Sequence, residues 1–202
     1  ADGRLLIVDY ASEAHEVTVF EFLRAFLRAS GNDDFISGRG SVTVDPPGFS
    51  RKEADATFGP FARTPNWMPK PANVTKWITL TVEVGRSQSW QSLREAAVAW
   101  HSYPGIQYVL LLKISPLGVS LGYELYHVVR PSQPGQRLPP PVAEGNIRHR
   151  TVGVQTAENI DFDARRIFAV PPHLPLPPNV NDPIVVDLRG VMNWVVGAMD
   201  PN

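Results

Sequence analysis

Three observations in this chain of 202 residues predict an α/β fold built around a central sheet. In the stretch from Trp77 to Leu93, WITLTVEVGRSQSWQSL, Ile78, Leu80, Val82 and Val84 alternate with Thr79, Thr81, Glu83 and Gly85. That period of two is the signature of a strand. From Trp90 to Tyr103, Leu93, Ala96, Ala97 and Trp100 recur at helical spacing, and Pro104-Gly105 ends the run. Ile106 to Ile114, IQYVLLLKI, is almost uninterrupted apolar, as a strand covered on both faces should be. Strand, turn, helix and buried strand together describe a parallel crossover unit.

The other elements follow in order. Arg4 to Tyr10 is a short apolar run, a strand or an extended lead-in. Between Glu16 and Ala29, Val17, Phe20, Leu23, Phe26 and Leu27 mark an amphipathic helix, stopped by Ser30-Gly31-Asn32. Phe35-Ile36 and then Ser41 to Asp45 precede Pro46-Pro47-Gly48, which closes that strand. Lys52 to Phe58 reads as one strand, with Ala54, Ala56 and Phe58 on one face and Glu53, Asp55 and Thr57 on the other. Gly59 to Lys76 is a loop carrying Trp67-Met68. Gly85 opens the turn after the Trp77 strand, and Ser87 or Ser89 caps the helix that follows.

Leu121 to Val129 alternates as a further strand, and Pro131 to Gly145 is a proline-rich loop. Ile147 to Thr156 is another candidate strand. Ile184 to Leu188 ends the sheet or joins an adjoining layer, and Gly190 to Met199 is a short terminal helix. With 43% hydrophobic residues the chain can bury a substantial core. The expectation is one domain over 1–202, with its core at about 16–130 and a proline-rich extension at 131–202.

Composition narrows the chemistry. The net charge of -1 means that nucleic-acid binding requires a local basic patch. The absence of cysteine excludes disulfides, thiolate metal sites and a cysteine nucleophile. It fits an intracellular location in cytoplasm or nucleus, although a segment trimmed before Ala1 would leave secretion open. No apolar run is long enough to span a membrane. Gly38-Arg39-Gly40-Ser41 is too short for a phosphate loop and lacks its lysine, and no Gly-x-Ser-x-Gly elbow is present. His15, His101, His127, His149 and His173 show no metal-ligand spacing, and each reads as structural or exposed.

What survives is Asp55 on one strand and Glu83 on the next. Glu83 alone could be a solvated residue on the polar face of its strand. If the two strands are antiparallel neighbours, however, their carboxylates can converge on one divalent cation. Mg²⁺ suits such a site, since it takes one or two carboxylates and keeps several waters. The backbone carbonyl of Val84 could be a third ligand.

The order helix, three strands, helix, strand, with Ala54-Asp55 in the second strand and Glu83-Val84-Gly85 in the third, resembles the PD-(D/E)XK nuclease superfamily. Ala54-Asp55 stands where that family has Pro-Asp, and Glu83-Val84-Gly85 where it has Glu-x-Lys. The runs VEVGRSQSWQSL and GIQYVLLLKI are similar to restriction-endonuclease-like proteins of the Uma2 type and to fungal and Crinkler-type nuclease-like domains. The resemblance covers roughly Glu16 to Ile114. It implies a restriction-endonuclease-like αβββαβ core, with a mixed central sheet flanked by helices.

It also implies a nuclease that hydrolyses phosphodiester bonds in DNA with Mg²⁺ or Mn²⁺ held by Asp55 and Glu83. The family's lysine position is occupied here by Gly85. Lys113, which interrupts an apolar strand, is the leading substitute. Gln88 and Arg94 are further candidates to reach the phosphate, and Glu21 could support the site from the first helix. Homodimers are expected by analogy with relatives that cut both strands. Two competing readings remain: a catalytically inactive module on the same scaffold that binds nucleic acid or a protein, and a different α/β enzyme with a pocket around Tyr123, His127 and His149.

Overall fold

The computed structural model describes residues 12–44, 51–71, 76–128, 138–149 and 156–199. The Arg4 to Tyr10 run, the Pro46-Pro47-Gly48 turn, residues 131–137 of the proline-rich loop and residues 150–155 of the Ile147 to Thr156 run lie outside them.

Helix α1 (Glu13–Ala29) begins three residues before the apolar pattern does, because Ser12 caps it by accepting from the His15 backbone N–H at 3.4 Å. Its apolar stripe buries Phe22 and Phe26 completely. Strands β1 (Ile36–Arg39), β2 (Val42–Val44), β3 (Lys52–Ala54), β4 (Ala56–Pro60) and β5 (Leu80–Gly85) follow. Helix α2 (Trp90–His101) is capped by the Ser89 hydroxyl, which accepts from Ser92 N–H at 3.1 Å. Then come β6 (Tyr108–Ile114), β7 (Ser120–His127) and β8 (Ala143–Arg148).

One six-stranded sheet runs β1-β4-β5-β6-β7-β8. Only β5 and β6 pair in parallel, Leu80 opposite Tyr108 and Gly85 opposite Lys113, with α2 as the crossover. The other pairs are antiparallel. Helix α1, the strands β1, β4 and β5, helix α2 and strand β6 make the expected αβββαβ core with a mixed sheet, which is the restriction-endonuclease-like arrangement.

The expected strand from Lys52 to Phe58 is in fact two. Strand β3 pairs with β2 in a separate hairpin, Val42 opposite Ala54, while β4 lies in the main sheet between β1 and β5. The division falls at Asp55. Ala54 enters the cluster under α2 with Leu93, Ala97 and Trp100, and Ala56 enters the opposite cluster with Phe22, Phe26 and Phe58.

The C-terminal region contributes to the core. Strands β9 (Asn159–Phe162) and β10 (Ile184–Asp187) form their own antiparallel pair, flanked by the short helix α3 (Ala164–Phe168) and by α4 (Leu188–Met199). Phe162, Ile167, Phe168, Val186, Leu188, Met192 and Val195 are fully buried against α1 and the sheet. No helix among the described residues is long and apolar enough to cross a membrane.

Gly59 marks the tightest backbone approach in the sheet: a Cβ there would stand 2.2 Å from the Trp77 carbonyl oxygen. Backbone cannot yield as a side-chain end can. Gly59→Ala should therefore cost about 3 kcal/mol, read as a lower denaturant midpoint at unchanged slope.

Candidate functional site

The bend at Asp55 and the far half of β5 come together on the edge of α2. Continuing the β4–β5 register past Ala56 opposite Val82 would bring Ala54 to Val84. Instead, the Asp55 carboxylate takes the place of a strand acceptor: Oδ2 accepts from the Val84 backbone N–H at 2.7 Å. Its other oxygen, Oδ1, lies 3.3 Å from Nε2 of His15, in the first turn of α1. That pairing raises the His15 pKa above its usual value, with the hydrogen bond to Asp55 the largest cause.

Glu83 points to the opposite face from Val82 and Val84, toward α2, where the Trp100 indole N–H donates to its Oε1. Burial and then the Asp55 charge push the Glu83 carboxyl up to about 7. Trp100, Lys52 and His15 oppose that rise without cancelling it. The fold thus sets two acidic side chains close enough to repel, one of them largely out of water.

Lys52, on β3, stands over the same spot. Its Nζ is 3.4 Å from the Ala96 carbonyl oxygen and 5.8 Å from the centroid of the Trp100 ring. Burial lowers the pKa of this ammonium, and Glu83 partly restores it.

The remaining sequence candidates are more dispersed. Lys113 lies beside Gly85 across the β5–β6 pair, on the Glu83 face but two residues further along, with its Nζ 5.9 Å from the Trp90 ring centroid. Gln88 is exposed in the turn before α2. Arg94 is bound by Glu124, with Nε donating at 3.0 Å, so its charge is already matched. Glu21 is paired with Arg24 at 2.6 Å, and Arg24 stacks on Trp194 of α4 at 4.4 Å, so this carboxylate is engaged on the α4 side. The Val84 side chain is buried under α1, and its N–H holds Asp55.

Two residues of the alternative pocket are engaged with neighbours. Tyr123 donates to Glu158 Oε1 at 2.8 Å, and His127 stands edge-on to Tyr108 at 4.9 Å. A cavity of about 1010 Å³ opens elsewhere, between Gln91, Arg94 and Val98 of α2, Tyr126, and Pro139 to Pro141. Asp55 and Glu83 do not line it.

His15, Lys52 and Trp100 were not singled out by sequence for the site. His15 and Lys52 stand among charged neighbours in the chain and Trp100 reads as a core aromatic, so no local signal marked them.

Among the described residues, no group of three or more His, Cys, Asp or Glu side chains converges as a metal site. Two carboxylates alone are a poor zinc site but a sufficient protein contribution for Mg²⁺ or Mn²⁺, which keep water ligands. Burial raises Glu83 most and the Asp55 charge adds to it; a divalent cation would offset that second contribution, so the chemistry of the two carboxylates suits such an ion.

No family model matches the chain, and no curated protein is similar to it. A solved structure similar to it is that of a protein from Anabaena variabilis described as a "putative nuclease belonging to DUF820". The two are 11% identical with a TM-score of 0.48, and the match covers 96% of this chain and 89% of that one.

The raised Glu83 pKa has a definite effect on stability. The unfolded chain releases this proton near pH 4.5 and the folded chain near 7, so stability present below 4.5 is lost as pH rises through about 7. In metal-free protein, Glu83→Gln should raise stability by about 2 kcal/mol at pH 8 and leave it unchanged at pH 4, measured by denaturant titration at both values. Equal effects at the two pH values would contradict a strained carboxyl.

Proposed function

We propose that this chain is a metal-dependent nuclease that hydrolyses phosphodiester bonds, with DNA as its substrate. The observation that carries the reading is the Asp55–Glu83 pair: one carboxylate fixed at a break in the sheet, the other raised to about 7 beside it. A perturbed carboxyl of this kind, within electrostatic reach of a second acid and of a lysine, is characteristic of a functional site. Asp55 and Glu83 would hold Mg²⁺ or Mn²⁺, with the Val84 carbonyl as a candidate third ligand. When bound, the ion supplies Lewis acidity and lowers the pKa of a coordinated water.

The chain's own contribution is orientation. The Val84 N–H and His15 hold Asp55 from both oxygens, and the Trp100 N–H holds Glu83, so neither carboxylate needs to reorganise. In hydrolysis, the water oxygen forms a bond to phosphorus as the bond to the sugar oxygen breaks. That oxygen leaves with the electron pair and takes a proton from solvent, and the water's proton goes to solvent.

One observation favours a non-catalytic binding module on the same scaffold: Leu93 fills the space beside Gly85, so a side chain two residues after Glu83 would have to displace it. Divalent binding separates the two readings.

Plasmid and single-stranded DNA should be cut by wild type in Mg²⁺ or Mn²⁺. Asp55→Asn and Glu83→Ala should each reduce the rate about 1000-fold. Wild type that neither cuts nor binds either ion by calorimetry would leave the binding module as the reading.

A further inference from the structure

We infer that Lys52 is the cation that faces the scissile phosphate in this site, supplied by the β2–β3 hairpin and not by the strand that carries Glu83. This rests on the nuclease reading above and adds a catalytic residue to it. Three observations support it.

The first is exclusion. A Cβ built at Gly85 would lie 2.8 Å from Cδ1 and 3.0 Å from Cδ2 of Leu93, which is fully buried. A cation on the same face of β5 would have to displace core packing. A cation supplied by another element avoids that cost.

The second is placement. Lys52 reaches over the ring of Trp100, and Trp100 donates its N–H to Glu83, so the ammonium, the indole and the carboxyl form one contiguous set. Of the competing cations, Arg94 is paired with Glu124, and Lys113 lies opposite Gly85, two residues beyond Glu83, over a different ring, that of Trp90.

The third is an incomplete set of partners. Lys52 is half-buried, and its hydrogen-bond partner is a carbonyl oxygen at a long 3.4 Å. Among the described residues, no carboxylate lies within ion-pair distance of it. An ammonium withdrawn from water and so weakly matched favours an anionic oxygen, and a non-bridging phosphate oxygen placed at Glu83 would supply one. As the water oxygen bonds to phosphorus, negative charge grows on those oxygens, and the ammonium stabilises it without changing its own protonation.

The test compares wild type, Lys52→Met, Lys52→Arg, Lys113→Met and Glu83→Ala. It measures DNA cleavage in Mn²⁺, Mn²⁺ affinity by calorimetry, and the Glu83 titration by carboxyl ¹³C NMR. Lys52→Met should cut about 100-fold more slowly, in the range for loss of one charge-stabilising donor, with partial rescue in Lys52→Arg. It should bind Mn²⁺ at least as tightly as wild type, since a like charge has left the carboxylates, and its Glu83 should titrate at higher pH.

Cleavage at the wild-type rate by Lys52→Met, with Glu83→Ala inactive, would overturn this assignment and leave the nuclease reading standing. So would loss confined to Lys113→Met. Parallel loss of cleavage and Mn²⁺ affinity in Lys52→Met would mark a merely structural lysine. Wild type that fails to cut overturns the nuclease reading itself, and Lys52's catalytic role falls with it.

Discussion

The hydrogen bond from the Val84 N–H to the Asp55 carboxylate is the constraint on which the site depends. A buried strand N–H must find an acceptor, and here a side chain takes over from the ladder. The chain can then bend at Asp55, sending Ala54 to one face of the sheet and Ala56 to the other. The β2–β3 hairpin peels away as a result and comes to lie against α2. Removing the carboxylate would leave the Val84 N–H unmatched as well as removing a candidate ligand, which is why the amide is the more informative substitution at this position.

Around that bend the fold accumulates charge that it only partly balances. Glu83 is pressed toward its neutral form by burial and by Asp55, and Trp100, Lys52 and His15 pull it back. Each of these three comes from a different element: α2, β3 and α1. The site is therefore a product of the tertiary structure, not of any one motif, and the αβββαβ core together with the β2–β3 hairpin brings its parts together.

The central elements were legible because their signals are local. Period-two alternation from Ile78 to Val84, helical spacing from Leu93 to Trp100 and the apolar run to Ile114 correspond to β5, α2 and β6, and Ser89 caps α2. Asp55 and Glu83 could be paired because consecutive antiparallel strands place them side by side. The break at Asp55 was invisible for a physical reason: Ala54, Ala56 and Phe58 keep the same alternation through it, and periodicity does not record a side chain replacing a backbone acceptor. His15 and Lys52 were missed because nothing local ties them to Glu83. At the C-terminal end, the Ile184 to Leu188 run corresponds to β10, whereas β9 was obscured by its brevity of four residues and by the absence of a longer alternating pattern around it.

The Trp100 indole donates directly to the carboxyl whose charge state matters most, and its ring is fully buried with Lys52 nearby. Indole emission responds to the electric field across the ring, so this residue is an optical reporter built into the site. Ionisation of Glu83, or arrival of a cation beside it, changes that field without any label being attached. The same contact that orients the carboxyl gives the protein a fluorescence signal for its own occupancy.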